Sequence, residues 1–142
     1  MKIKMTKFEI LAEFVKDISS ETKDIQTYLF VKDYISKYQL TIDITSLPSK
    51  NKMIEVNTSL KFEDKKNNTK KSYFELVYAS LIKINENIKE KRELEKIILC
   101  DLQKQLKPNI EKVFTDLINN SGFKGVSFKN IDFEKLYNSR NN

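Results

Sequence analysis

The chain is 142 residues long, 39% hydrophobic and 32% charged, which suits a single folded domain over residues 1–142 and excludes a disordered polymer. It has no histidine and one cysteine, Cys100, which excludes Ser–His and Cys–His nucleophiles, an internal disulfide and the commonest zinc ligand. The formal charge of +6 invites an anionic partner, but Arg92 and Arg140 are the only arginines, and readers of base edges lean on arginine.

The N-terminal run MKIKMTKFEILAEF begins basic, but Glu9 and Glu13 interrupt its apolar residues, so no signal peptide is expected. The first strand is predicted from Phe8 to Ile18, with Phe8, Ile10, Ala12, Phe14, Lys16 and Ile18 on one parity and Glu9, Glu13 and Asp17 on the other. Glu21 to Lys37 follows, with Tyr28, Leu29, Phe30, Val31, Tyr34 and Ile35. That is too apolar for a free loop, so it either packs down or offers a sticky surface.

Two more strands alternate cleanly: Tyr38, Leu40, Ile42 and Ile44, then Ile54, Val56, Thr58, Leu60 and Phe62. Asp64 to Lys71 (DKKNNTKK) is a charged, turn-forming run and reads as an exposed hairpin tip. Ser72 to Ile84 is apolar on both parities, so covering on both sides is expected, by helices or by another subunit.

The second half is helical. Leu94, Ile97, Ile98, Leu102 and Leu106 recur at threes and fours, and Ile110, Val113, Phe114, Leu117 and Ile118 do the same. Pro108 between the runs predicts a kink or break, and Asn119 to Gly122 supplies C-cap chemistry. Asp132 to Tyr137 is predicted as a short last helix. The class is therefore α+β: a four-stranded antiparallel sheet with a long kinked C-terminal helix and a short terminal one.

No stretch approaches the roughly 20 apolar residues that cross a bilayer. No metal-ligand spacing or glycine-rich phosphate cradle occurs, and no cofactor is expected. Asp17 and Glu21, four apart beside a strand, read as surface acids rather than an acid–base pair. Tyr28, Phe30, Tyr34, Phe133 and Tyr137 lie where regular structure is weak, and aromatics there can form an apolar trough for extended peptide.

Several strings, in order, resemble the SecB family of export chaperones. Val15-Lys16-Asp17-Ile18-Ser19-Ser20-Glu21 is similar to the end of its first strand, and Val31-Lys32-Asp33-Tyr34 to its aromatic crossover. Leu40-Thr41-Ile42-Asp43-Ile44 resembles its second strand, and Tyr73-Phe74-Glu75-Leu76-Val77-Tyr78-Ala79 its fourth. Gly122-Phe123 and Ile131-Asp132-Phe133-Glu134-Lys135-Leu136-Tyr137 resemble its ending, so the likeness spans about residues 10–138.

The resemblance implies an ATP-independent holdase, not an enzyme, in the cytoplasm, assembled as a homotetramer that is a dimer of dimers. It implies that unfolded polypeptides bind in an aromatic groove lined by Tyr34, Phe133, Leu136 and Tyr137. It also implies hand-over to the SecA motor through Asp17, Glu21 and Glu75. The departures are the basic charge, Lys107-Pro108-Asn109-Ile110-Glu111 in place of the family's helix motif, Ser80 and Leu81 in place of glycines, and the stop at Asn142, short of the family's longer tail. They keep open a narrower role, guarding one client such as the antitoxin of a toxin–antitoxin system. A basic nucleic-acid-binding protein is the reading from another class.

Overall fold

The computed structural model describes residues 6–65 and 71–128, with residues 132 and 135. Four strands form one antiparallel sheet: β1 (Phe8–Glu21), β2 (Gln39–Pro48), β3 (Met53–Glu63) and β4 (Tyr73–Ile84). Their order is β1-β4-β3-β2, so β1 and β2 are the two edges. Between β1 and β2 the chain makes helix α1 (Ile25–Tyr34) and a 3₁₀ turn at Ile35–Lys37. After β4 come α2 (Lys91–Lys96), a π-helical turn at Ile97–Asp101, and α3 (Leu102–Asn120). The predicted last helix from Asp132 to Tyr137 falls mostly outside the described residues.

Alternation decides which face of the sheet is buried. In β3 and β4 the even positions Val56, Thr58, Leu60, Phe62, Phe74, Leu76, Tyr78, Ser80 and Ile82 are buried. They meet a stripe on α3 formed by Leu102, Leu106, Ile110, Phe114 and Ile118, each four residues from the last and none exposed. Burying a side chain of this size stabilises by roughly 1.5–3 kcal/mol, so this stripe is the main hold between the layers. The odd positions of β4 form the other face, where Tyr73, Glu75, Val77 and Leu81 are half-buried and only the small Ala79 is fully buried. Among the described residues the helix layer covers β4 on one side, and the second cover expected for it, by helices or by another subunit, is left to residues or chains beyond these.

One sequence expectation is corrected in the helices. The chain does not break at Pro108: α3 runs through it. Pro108 is exposed, so its ring lies towards solvent rather than in the core, where a bend would be costlier. The irregularity lies earlier, in the π turn. There Ile97, Ile98, Cys100, Leu102 and Gln103 are all buried, more than one face of an ordinary helix can present, and a widened turn accommodates them. Gln103 bridges the layers: Thr58 Oγ1 donates to its Oε1 at 3.0 Å, and its Nε2 donates to the Ile98 carbonyl at 3.2 Å. These bonds satisfy the amide in a dry core.

A second correction concerns one hairpin lysine; Lys65 is exposed as expected, and Lys66 and Lys70 lie outside the described residues. Lys71 is not on a solvated tip. Its ammonium pairs with Asp64, with side chains only 5% and 8% exposed, and the pair closes the base of the β3–β4 connection.

The end of α3 is capped as its residues suggest. Phe123 N–H reaches the Ile118 carbonyl at 3.1 Å, and Gly122 takes φ +99. A Cβ on Gly122 would lie 2.6 Å from the Tyr28 ring. Gly122→Ala is therefore expected to cost more than the roughly 1–2 kcal/mol of left-handed strain alone. Gly125, at φ +91 with open space around its Cβ position, carries the strain without the collision. Urea denaturation of Gly122→Ala and Gly125→Ala measures the difference, and equal losses would dismiss the Tyr28 contact.

Candidate functional site

Helix α1 is short and carries apolar residues all round, so it depends on its cap and its docking. Asp24 Oδ1 accepts from the Thr27 N–H at 2.8 Å and from its hydroxyl at 2.6 Å. Val31 is fully buried, and Tyr28 lies on Phe123 with ring centroids 5.1 Å apart while its hydroxyl donates to the Gly122 carbonyl at 2.8 Å. These inward contacts leave Ile25, Leu29 and Phe30 on the outside, between 43% and 61% exposed. The segment both packs down and presents an apolar surface.

At the C-terminal end of α1, Phe30 and Tyr34 stack with centroids 4.5 Å apart and an interplanar angle of 20°. Lys71 Nζ stands 5.0 Å from the Phe30 centroid, and Lys37 Nζ stands 5.0 Å from that of Tyr34. Tyr34, named from the sequence as a groove residue, is half-buried within this stack. Phe133, Leu136 and Tyr137, named with it, lie outside the described residues. Tyr28 turns inward and is no part of an open trough. Ile25 was not singled out, and Leu29 was named only as part of the apolar segment. Their spacing of four, like that of Phe30 and Tyr34, becomes a signal only once the segment is read as a helix.

The second feature is the uncovered sheet face. Strand β1 carries two bulges, between Ile10 and Ala12 and between Val15 and Asp17. Each bulge flips the alternation of the residues beyond it. Phe8 and Ile10 pair with Ile84 and Ile82 on the helix side, whereas Ala12 and Phe14 pair with Leu81 and Ala79 on the outer side. The single parity read from the sequence for Phe8 to Ile18 is therefore split. Past the second bulge, Asp17 lies beside Val77, Ser19 beside Glu75 and Glu21 beside Tyr73, all on the outer face.

Asp17, Val77, Ser59 and Asp43 thus form one row across the sheet, and Ser19, Glu75, Lys61 and Thr41 the next. The three acids named from the sequence share one end of one face, with Asp43 added. Lys61 is the lysine in these two rows, and its Nζ is 4.0 Å from Glu75. Towards the other end, Lys16 Nζ meets Glu55 at 2.9 Å, and Asn57 also donates to Glu55. These bonds, Asn57's first, hold the Glu55 carboxyl below its ordinary range.

The third feature is the β1 edge. Leu11, Phe14, Val15 and Ile18 are 40–49% exposed along a 14-residue strand with a partner on one side only among the described residues. Glu13 ties this strand to α3. Tyr78 Oη donates to it at 2.9 Å and Asn109 Nδ2 at 3.1 Å. The departure Lys107-Pro108-Asn109-Ile110-Glu111 therefore has structural work: Asn109 holds β1, Ile110 is core, and Lys107 pairs with Glu111 at 3.6 Å.

The geometry and the strings meet in the comparison with known proteins. The profile of the SecB family, preprotein translocase subunit SecB, matches residues 2–142. The chain belongs to the SecB family. Among curated proteins, the putative protein-export protein SecB of Pelagibacter ubique is 48% identical over 136 residues, 95% of this chain and 97% of that protein. The protein-export protein SecB of Bartonella quintana is 23% identical over 133 residues, 94% of this chain and 83% of that one. Among solved structures, a SecB-like chaperone of Mycobacterium tuberculosis, in complex with a peptide from an antitoxin, superposes with TM-score 0.64 at 13% identity. The match covers 89% of this chain and 88% of that one, and it shows the shared fold. The protein is a SecB-family chaperone, with the four-stranded sheet and long C-terminal helix expected of it. Among the described residues, no helix is long and apolar enough to cross a membrane and no acidic or cysteine cluster could hold a metal.

Two tyrosines at the sheet–helix layer give the SecB-family fold an alkaline limit. Burial, then Asp64 and Glu63, push Tyr38 up to about 12, and burial and the bond to Glu13 push Tyr78 up to about 12. A folded-state pKa above the unfolded value of about 10 gives stability that is whole below pH 10 and is lost as pH climbs towards 12. Melting temperature is expected to fall through that window, and to fall less steeply in Tyr38→Phe with Tyr78→Phe. An unchanged slope in the double variant would take the tyrosines out of the account.

Proposed function

We propose that this SecB-family chaperone is an ATP-independent holdase that grips unfolded polypeptides on the outer surface of α1. The observation that carries this is the exposure of Ile25, Leu29 and Phe30 beside the Phe30–Tyr34 stack, on a helix pinned from behind by Tyr28 and Val31. An unfolded client exposes apolar side chains without fixed order, and a rigid apolar surface takes them up without reading sequence. Tyr34 would line this groove, and Phe133, Leu136 and Tyr137 are proposed to join it.

Leu29→Ala with Phe30→Ala is expected to weaken client binding about tenfold or more, since each side chain loses on the order of 1 kcal/mol or more of burial. Light scattering of a refolding, aggregation-prone client reads the loss, with circular dichroism to show that the fold is kept. Undiminished suppression by the double variant would remove α1 from the client site.

The fuller reading places the chaperone in the cytoplasm, as a homotetramer that passes clients to SecA. The long β1 edge with its exposed Leu11, Phe14, Val15 and Ile18 suits pairing with a second copy, which would bury apolar surface and continue the sheet. The cluster of Asp17, Glu21, Glu75 and Asp43 suits a basic partner surface in a chain that is otherwise net positive. Asp17→Lys with Glu75→Lys is expected to abolish SecA binding in a pull-down while client suppression persists. If the parent protein fails to bind SecA, the hand-over reading falls and the holdase stands alone.

The narrower reading of the same surface is a single antitoxin client. The Mycobacterium tuberculosis chaperone of this fold was solved with an antitoxin peptide. Suppression across several unrelated clients would favour the general holdase, and suppression confined to one would favour the dedicated guard.

A further inference from the structure

The aromatic stack of α1 is covered by ammonium groups, and the two lysines responsible differ in freedom. Lys71 is fixed: its side chain is 5% exposed and pairs with Asp64, while its Nζ lies 5.0 Å from the Phe30 centroid and 5.8 Å from that of Tyr34. Lys37 is exposed, and among the described residues its Nζ has the Tyr34 ring, at 5.0 Å, as its partner. Phe30 occupies Tyr34 by stacking, so Lys37 is the removable cover of that ring. On α1 itself, Lys32 and Asp33 are both exposed and offset each other.

We propose that Lys37 makes the client surface charge-selective: it favours apolar client segments flanked by aspartate or glutamate over those flanked by lysine or arginine. This rests on the reading of α1 as the client site and names the class of segment that site prefers. The physical reason is an exchange of partners. An exposed ammonium gains about as much from a carboxylate as from an aromatic face, so a client acid can draw Lys37 off Tyr34 at little net cost. The uncovered ring then meets the client's apolar side chains, which is a net gain. A client lysine offers Lys37 no new partner and adds repulsion from Lys37 and from the paired but fixed Lys71.

The test uses three synthetic peptides with one shared apolar core, rich in leucine and phenylalanine, flanked by glutamates, glutamines or lysines. Binding to the full-length protein is read by fluorescence anisotropy at low and high salt. The expected order is glutamate, then glutamine, then lysine, with about a fivefold spread that shrinks in high salt. Lys37→Met should narrow the spread and Lys37→Glu should reverse it. An unchanged order and spread in Lys37→Glu would overturn the proposal, as would lysine flanks binding best to the parent protein. Equal binding of all three to the parent would overturn the charge preference and leave the client site standing. Failure of all three to bind would overturn the client site itself and the preference with it.

Discussion

A four-stranded sheet has two faces, and the described part of this chain supplies one helix layer. The α3 stripe of Leu102, Leu106, Ile110, Phe114 and Ile118 seals the even positions of β3 and β4 and leaves the odd positions, Asn57 and Ala79 apart, partly open. The features assigned to function derive from that asymmetry. The outer face is free to carry a cluster of acids, and the β1 edge is free to meet another chain. Helix α1, outside the main layer, is anchored by Tyr28 and Val31 and keeps its far side open.

The buried polar groups serve the same division. Thr58 and Gln103 bond to each other in the core, and Gln103 also reaches the Ile98 carbonyl within the π turn, joining the sheet to the irregular part of the helix. Tyr78, Glu13 and Asn109 do the corresponding work at the edge of the layer, joining β1 to α3. A satisfied polar pair of this kind contributes little net energy but is costly to break, so it fixes geometry more than it adds stability. That rigidity lets a short, non-amphipathic helix such as α1 present apolar side chains to solvent without the sheet rearranging to bury them.

Charge is distributed unevenly for a chain of net charge +6. Asp17, Glu21, Glu75 and Asp43 gather at one end of the outer sheet face. Lysines stand over the aromatic stack of α1. Composition alone reports the sum and suggests a basic protein. Placement gives two surfaces of opposite character.

Much of this architecture is legible in the amino-acid order. Period-two alternation marks β2, β3 and β4 because an antiparallel strand with one buried face must alternate, and spacings of three and four mark the helix because its one buried stripe recurs at that interval. The short strings around Asp17, Tyr34, Glu75 and Gly122 point to the SecB family. Phase and placement are not legible in the same way. A β-bulge has no compositional signature, yet two of them in β1 move Ala12 and Phe14 to the outer face, return Asp17 to its original phase and set it beside Val77. Helix α1 is hidden in an apolar segment because its residues follow no single stripe, and of the kink or break that Pro108 predicts, the break does not occur at its exposed position. Sequence by itself determined which residues must be buried somewhere, since that depends on side-chain chemistry and local period. Only the tertiary structure decided which face each one joins, since that depends on register, and register is set by pairing with strands distant in the chain.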